Sequence, residues 1–278
     1  MATIQEFSIS DTLWARLEPL LPVHVPKPHP LGRHRRRIAD RQVLNAIFFV
    51  LRTGCQWKAV DATGLCKGST AHSRFQEWVQ AGVFARLWDE ALQDYDELIG
   101  LNFAWMALDG SLHKAPLGGK KKTGPNPTDR GKGGVKRSLL TEARGMPVGL
   151  VLEGANRHDM KLTESTLRSL PPAAEAARDA HRAAGHGQHL CLDAGYDYAQ
   201  VREVVAELGY TAHIRPRGEE VQAKKAGQKA RRWVVERTRS WLNRFRHLLI
   251  RWAKKPENYL AMLHFACARI TWYNCLFG

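Results

Sequence analysis

The sequence predicts an α/β fold: a mixed sheet flanked by helices and preceded by an all-helical leader. Three observations carry this. Over the first hundred residues apolar side chains recur at helical spacing, and short strand-like runs begin only after Asn102. From there the order is strand, hairpin, helix, strand, helix, strand, long helix, which suits a sheet covered by helices. Two of those strands end in an aspartate, where an open α/β sheet forms its crevice. The division falls into residues 1–100, a helical part, and residues 101–278, a part built on the sheet.

Composition narrows the function. Apolar residues make up 44% of the 278, enough for a packed core, and this excludes global disorder. The formal net charge is +15. For a basic protein of this kind nucleic acid is the first partner to consider. The longest apolar run, Gln42 to Leu51, falls short of the roughly 20 residues that span a bilayer, so no membrane partner is expected. The start, "MATIQEFSISD", lacks a basic region followed by an apolar one, and five scattered cysteines form no paired framework. The expected setting is a reducing cytoplasm.

In the leader, "SISDTLWARLEPLL" offers Ser10 or Asp11 as a helix cap, with Leu13, Leu17, Leu20 and Leu21 at helical spacing. A Pro-rich loop follows and ends in the basic cluster Arg33, Arg35, Arg36 and Arg37. "IADRQVLNAIFFVLRTG" is an apolar helix closed by Gly54. "GSTAHSRFQEWVQAG" has Ser69 or Thr70 as cap and ends at Gly82, and "VFARLWDEALQDYDELI" is a further amphipathic helix. Short helices with basic connections suit a helix-turn-helix module; the alternative is a plain bundle with a solvated basic loop.

Beyond Asn102, "FAWMALDGS" reads as a buried strand ending at Asp109. A loop rich in Gly, Pro and Lys follows, holding Lys120, Lys121 and Lys122. "VKRSLLTEA" and "MPVGLVLEG" form a hairpin turned at Arg144-Gly145. "HDMKLTESTLRSL" is helical, and "PPAAEAARDAHRAAGHG" is a partly helical connection. "QHLCLDAG" is a second strand ending in an acid, Asp193; "AQVREVVAELG" is a helix and "YTAHIRP" a strand. "RRWVVERTRSWLNRFRHLLIR", Arg231 to Arg251, reads as one long helix with Val234, Trp241, Phe245, Leu248 and Trp252 on its buried stripe. "PENYLAMLHFACARITWYN" is the last helix.

The candidate chemistry lies in three carboxylates. Asp109 and Asp193 each leave an apolar strand, and adjacent strands would bring both to one edge. Glu236 is the single acid among seven arginines in its helix and lies off the buried stripe. Arg232, Arg239, Ser240 and Asn243 share its face at offsets of −4, +3, +4 and +7. Three carboxylates around two Mg²⁺ ions would permit in-line phosphoryl transfer, with the arginines holding phosphates. Glu153, Asp159, Asp197, Asp94 and Asp96 rank below them, because none combines a strand end with a basic helix.

"ALDGS", "CLDAGYD" and "RRWVVERTRSWLNRFRHL" resemble the three motifs of DDE transposases from bacterial insertion sequences, in particular insertion-sequence family five within the family-four and -five superfamily. The N-terminal "LW.RLEPLLP…R…VLNAIFFVLRTGCQW" resembles that family's helical leader, so the resemblance covers nearly the whole chain. It implies a ribonuclease-H-like catalytic fold, with Asp109, Asp193 and Glu236 as ligands of Mg²⁺ (or Mn²⁺ in its place). It implies DNA contact by Arg232. The superfamily's Tyr three before that Arg and Lys seven after the Glu are Lys229 and Asn243 here, and Arg244 stands one residue later. The expected activity is cleavage at the ends of the chain's own insertion sequence and joining of the 3′-hydroxyl ends to target DNA. The partners would be double-stranded DNA, both terminal repeats and target, and further copies of the chain in a homodimer or larger assembly. Arg239, Arg244, the Arg33–Arg37 cluster and Lys120–Lys122 join Arg232 as DNA-contact candidates. The alternatives are a metal-dependent nuclease without joining and a transposase-derived DNA-binding regulator.

Other signals lead elsewhere. "GGKKKTGPNPTDRGKGG" lacks the spacing of a phosphate loop. His181, His186 and His189 have no matching Cys or acid partner for a metal site, and Cys191 reads as a buried thiol.

Overall fold

The computed structural model describes residues 7–25, 37–214 and 232–277. Helix α1, Asp11–Leu17, begins at Ser10, whose side chain accepts from the Leu13 amide. Helix α2, Asp40–Thr53, is the apolar helix of the leader and stops at Gly54, held at φ 72°. Helix α3, Gly68–Gln80, starts one residue before the expected cap, and Asp61 Oδ1 accepts from the Gly68 amide at 2.6 Å. Gly is needed there because a Cβ would lie 1.9 Å from the Trp57 carbonyl oxygen. Helix α4, Val83–Leu98, follows directly through Gly82.

The sheet contains β1, Trp105–Lys114; β2, Gly124–Pro125; β3, Gly133–Thr141; β4, Pro147–Gly154; β5, His189–Leu192; and β6, Thr211–Ile214. Its main order is β4-β3-β1-β5-β6, with β2 added at the start of β3. The β1–β3 and β3–β4 pairs are antiparallel, whereas β1–β5 and β5–β6 are parallel. Three antiparallel strands followed by two parallel ones make the ribonuclease-H-like arrangement. The hairpin turn falls at Arg144-Gly145, with Gly145 at φ +89°. Buried Glu142 holds that turn: its carboxylate accepts from the amides of Arg144 at 2.8 Å, Met146 at 2.9 Å and Asn102 at 3.1 Å. Burial pushes its carboxyl above the usual range, and the three amides oppose that rise.

Helices α5, Thr163–Leu167, and α6, Pro172–Ala183, join β4 to β5; α7, Ala199–Glu207, joins β5 to β6. Helix α8, Trp233–Asn243, and α9, Pro256–Phe277, complete the fold. Helix α9 packs along α4. Phe265 meets Phe84 and Phe48 with ring centroids 5.3 Å and 5.8 Å apart, so the leader and the sheet layer share one buried core. Among the described residues, no helix is long and apolar enough to cross a membrane.

Two elements differ from the sequence reading. Strand β1 does not stop at Asp109: Gly110 to Lys114 continue pairing with Ser138 to Gly134 of β3. Nor does the basic helix run to Arg251. It ends at Asn243, and Phe245 turns the chain at φ −91°, ψ 90°. The apolar period continues past that point, but tertiary contacts win. The Leu248 carbonyl accepts from the Tyr259 hydroxyl at 2.7 Å and from buried Arg137, while the Arg251 amide bonds to the Lys114 carbonyl at 2.8 Å. The buried residues of α8 are Val234, Val235, Thr238 and Leu242; of the expected stripe Val234, Phe245 and Leu248 are buried, Trp241 is half-buried and Trp252 is exposed.

Arg251 is wholly buried and ties the lysine loop down. Its guanidinium donates to the carbonyls of Lys122 at 2.7 Å, Lys121 at 3.2 Å, Lys254 at 3.1 Å and Ala253 at 3.1 Å, and to Thr123 Oγ1 at 3.0 Å. A planar fork with five N–H donors suits that ring of acceptors, and a lysine ammonium does not. Arg251→Ala is therefore expected to cost about 3 kcal/mol of stability, and Arg251→Lys to recover little of it. Chemical denaturation of the two variants measures both.

Candidate active site

Parallel pairing sets the site. Ala107 of β1 is level with Cys191 of β5. Two residues further along each strand direction stand Asp109 and Asp193, which a period of two directs to one face. At that level β5 ends and β1 continues. Asp193 leaves the sheet as the cap of the short turn Ala194–Tyr196, its Oδ1 accepting from the Gly195 amide at 2.8 Å. The crevice thus opens where one strand stops beside a neighbour that does not.

Helix α8 lies across this opening. Arg239 Nη1 is 2.7 Å from Asp109 Oδ2, and its Nη2 donates to the Gly110 carbonyl. Arg232 stands between the other two acids, 4.0 Å from Asp193 Oδ2 and 3.9 Å from Glu236 Oε1. Asp109, Asp193 and Glu236 are therefore tied to one region by two guanidinium groups about two helical turns apart on one face. Exposure rises outward: the side chain of Asp109 is 14% exposed, Asp193 38% and Glu236 57%. Burial holds the Asp109 carboxyl above the usual carboxylate range; Arg239 opposes the rise and Asp193 adds to it.

A fourth carboxylate, ranked lower from sequence, comes to the same place. Asp159 Oδ2 is 2.7 Å from the ammonium of buried Lys136 on β3. Its Oδ1 is buried and has no hydrogen-bond partner. It lies so close to Gly110 that a Cβ there would sit 1.9 Å from it. The Tyr196 hydroxyl is likewise buried without a partner. Burial raises its ionisation well above the usual phenol range, and the charges of Asp159, Asp109 and Asp193 add to this. The sequence did carry a signal for Asp159. Lys136-Arg137 interrupts an apolar strand, and a buried lysine demands an anionic partner.

The donor set is oxygen only, the chemistry of a hard divalent cation such as Mg²⁺. Among the described residues, no three His, Cys, Asp or Glu side chains stand close enough together to hold a metal ion. Arg232 and Arg239 occupy the space among the acids and supply the counter-charge. The remaining candidates are dispersed. Arg244 is exposed at the far end of α8. Lys120, Lys121 and Lys122 are exposed on the loop tied by Arg251, with Lys122 3.6 Å from Glu153. Arg37 is engaged with Asp40 at 3.5 Å and Glu77 at 3.7 Å. Arg33, Arg35, Arg36 and Lys229 lie outside the described residues. The histidines fall into separate pairs: His181 rests on His186, and His189 bonds to His213 at 2.9 Å.

Two family models match the chain. Residues 9–88 match a family described as "Putative transposase of IS4/5 family", and residues 105–270 match one described as "Transposase DDE domain". A Burkholderia cepacia protein described as "Putative transposase for insertion sequence element IS402" is 34% identical over 158 residues, covering 55% of this chain and 70% of that one. A second from the same organism, "Insertion element IS402 uncharacterized 16.2 kDa protein", is 36% identical over 121 residues, covering 43% and 80%. The catalytic domain of Mos1 mariner transposase is 13% identical with a TM-score of 0.31, covering 69% of this chain and 91% of that one. That last likeness is too slight to argue from.

The Asp159–Lys136 pair makes a direct test of this geometry. Asp159→Leu alone strands a buried ammonium and should cost about 3–5 kcal/mol. The double variant Asp159→Leu/Lys136→Met should regain most of that loss in thermal melts. An additive double variant would show that the two groups are not paired.

Proposed function

Because the chain belongs to the IS4/5-type DDE transposase family, we propose that it cuts DNA at the ends of its own insertion sequence and joins the freed 3′-hydroxyl ends to target DNA. The observation that carries this reading is the convergence of Asp109 and Asp193 at the end of β5, with Arg239 on Asp109 and Arg232 between Asp193 and Glu236 on one helix face. These three carboxylates would hold divalent cations, Mg²⁺ or Mn²⁺, which when bound supply charge to an attacking and a leaving oxygen.

The chain's own side chains have separable roles. Asp109, in the most enclosed position, must give up its proton before it can serve as a ligand. Arg239 favours that loss, since its guanidinium stabilises the carboxylate. A phosphodiester entering the crevice offers both arginines a bidentate partner in place of the acids. Arg232 and Arg239 would thus pass from carboxylate to phosphate as DNA arrives. Tyr196, kept as a neutral phenol, has a free donor facing the carboxylates. Both steps are phosphoryl transfers that need no protein nucleophile.

The wider reading assigns end recognition to residues 1–100, with Arg33, Arg35, Arg36 and Arg37, and chemistry to residues 101–278. Lys120–Lys122 and Arg244 would add contacts to phosphate. The chain would work in the bacterial cytoplasm, on the nucleoid, as a homodimer or larger assembly on DNA. Because α9 shares a core with α4, experiments should use the whole chain.

In a strand-transfer assay with element-end DNA, Asp109→Asn, Asp193→Asn and Glu236→Gln should each reduce Mg²⁺-dependent cutting and joining below detection. Binding of the same DNA should persist. Full cutting by any one variant removes that residue from the site, and cutting without joining by the parent chain makes it a nuclease.

Stability should move the other way for Asp109. Its folded ionisation lies above the unfolded one, so its contribution to stability is present below the ordinary aspartate range and lost as pH rises through the folded value. At neutral pH Asp109→Asn should therefore melt no lower than the parent, and its relative advantage should shrink on acidification. A melt series from pH 7 down to pH 4 reads this directly.

A further inference from the structure

A second basic cleft lies at the opposite end of α8 from Glu236. It encloses about 350 Å³ and is lined by Arg52 of α2, Arg244 at the end of α8 and Arg269 of α9, with no Asp or Glu in its wall. Among the described residues none of the three arginines forms an ion pair. Aromatic faces and one backbone contact hold Arg52 and Arg269 instead. The Arg52 guanidinium lies 5.2 Å from the Phe245 ring centroid and donates to the Arg244 carbonyl at 3.4 Å; that of Arg269 lies 5.1 Å from the Tyr273 ring. Stacking supports the plane of a guanidinium and leaves N–H groups at its edge for an anion.

The arrangement is costly as it stands. Burial disfavours the charged form of Arg52, and Arg244 adds to this; Arg269 is likewise affected by burial and then by Arg52. Helices from three parts of the chain thus converge like charges without a carboxylate to offset them. Groups held against their own electrostatic preference mark a place where something binds. Guanidinium forks match phosphate oxygens in pairs. From Glu236 to Arg244 the helix rises about 12 Å, roughly the axial length of three to four nucleotides of one strand. One DNA strand can therefore reach both ends of α8.

We propose that Arg52, Arg244 and Arg269 form an anion cleft, separate from the carboxylate site, that grips backbone phosphates of the bound DNA a few nucleotides from the cut. The proposal rests on the DNA-cutting reading for its ligand, whereas the cleft itself stands on the three uncompensated arginines.

The test uses the full chain and the double variant Arg52→Gln/Arg269→Gln, with two probes: inorganic phosphate and a 30-base-pair duplex of random sequence. Phosphate, compared with chloride at equal ionic strength, should raise the melting temperature of the parent and not of the variant. In chloride the variant should melt no lower than the parent, since repulsion has been removed. The slope of log K against log salt for the duplex should fall by about one for each arginine removed, and Arg52→Lys/Arg269→Lys should keep most of it. An unchanged slope with firm binding by the parent overturns the cleft and leaves the DNA reading intact. A parent that binds no duplex overturns the DNA reading and the ligand proposed here. Loss of the phosphate effect with an unchanged slope assigns the cleft to another anion, such as an acidic segment of a second copy, and also overturns the proposal. A variant that melts far below the parent in chloride makes the arginines packing elements and does the same.

Discussion

Two carboxylates brought close together where β5 ends beside the longer β1 are the constraint on which this structure turns. Asp109 and Asp193 repel each other, and Asp109 is also largely removed from water. Such a pair persists only if positive charge is brought to it. Helix α8 brings that charge, with Arg239 on Asp109 and Arg232 between Asp193 and Glu236. Lys136, from the sheet, offsets the neighbouring Asp159. The acid within a basic helix thus has a position of its own: Glu236 lies one turn from each arginine, 3.9 Å from Arg232.

The rest of the fold fixes where α8 can lie. Thr238, buried beneath the helix, donates to the Gly145 carbonyl at 2.6 Å, which anchors α8 on the β3–β4 turn. That contact needs the backbone to come close, as Gly145 permits: a Cβ there would sit 2.9 Å from an Arg237 nitrogen and 3.1 Å from Thr238 Oγ1. Beyond Asn243 the helix gives way to a segment clasped by Arg137, Tyr259 and Arg251. Buried guanidiniums satisfied by carbonyls and a hydroxyl therefore set the end of α8, and with it the spacing between the carboxylate site and the Arg52–Arg244–Arg269 cleft.

Much of this was legible in the sequence, and the parts that were not have physical reasons. The hairpin at Arg144-Gly145, the strands carrying Asp109 and Asp193 and the helix of Glu236 follow from period, turn chemistry and breakers. The length of β1 did not, because an Asp-Gly step after an apolar run looks like a turn when its partner β3 is unseen. The end of α8 was hidden for the same reason: Leu248 and Phe245 keep the helical period, and only Arg137 and Tyr259, far away in sequence, divert the chain. Asp159 was undervalued because it follows a strand in a short irregular turn, although Lys136 within β3 already required an anion. The cleft of three arginines was legible only in part. Arg244 was a DNA-contact candidate within the basic helix, but nothing in the sequence linked it to Arg52 and Arg269, which the fold brings to the same cleft.

The central claim is that Asp109, Asp193 and Glu236 form one cation site at the mouth of the crevice. Titration of the full chain with Mn²⁺, following the free-ion paramagnetic resonance signal in the presence of duplex DNA, tests it without relying on catalysis. The account predicts saturable Mn²⁺ binding by the parent chain that is lost or greatly weakened in Asp109→Asn and in Asp193→Asn, while Asp197→Asn binds as the parent does. Equal Mn²⁺ binding by the parent and both site variants would contradict it.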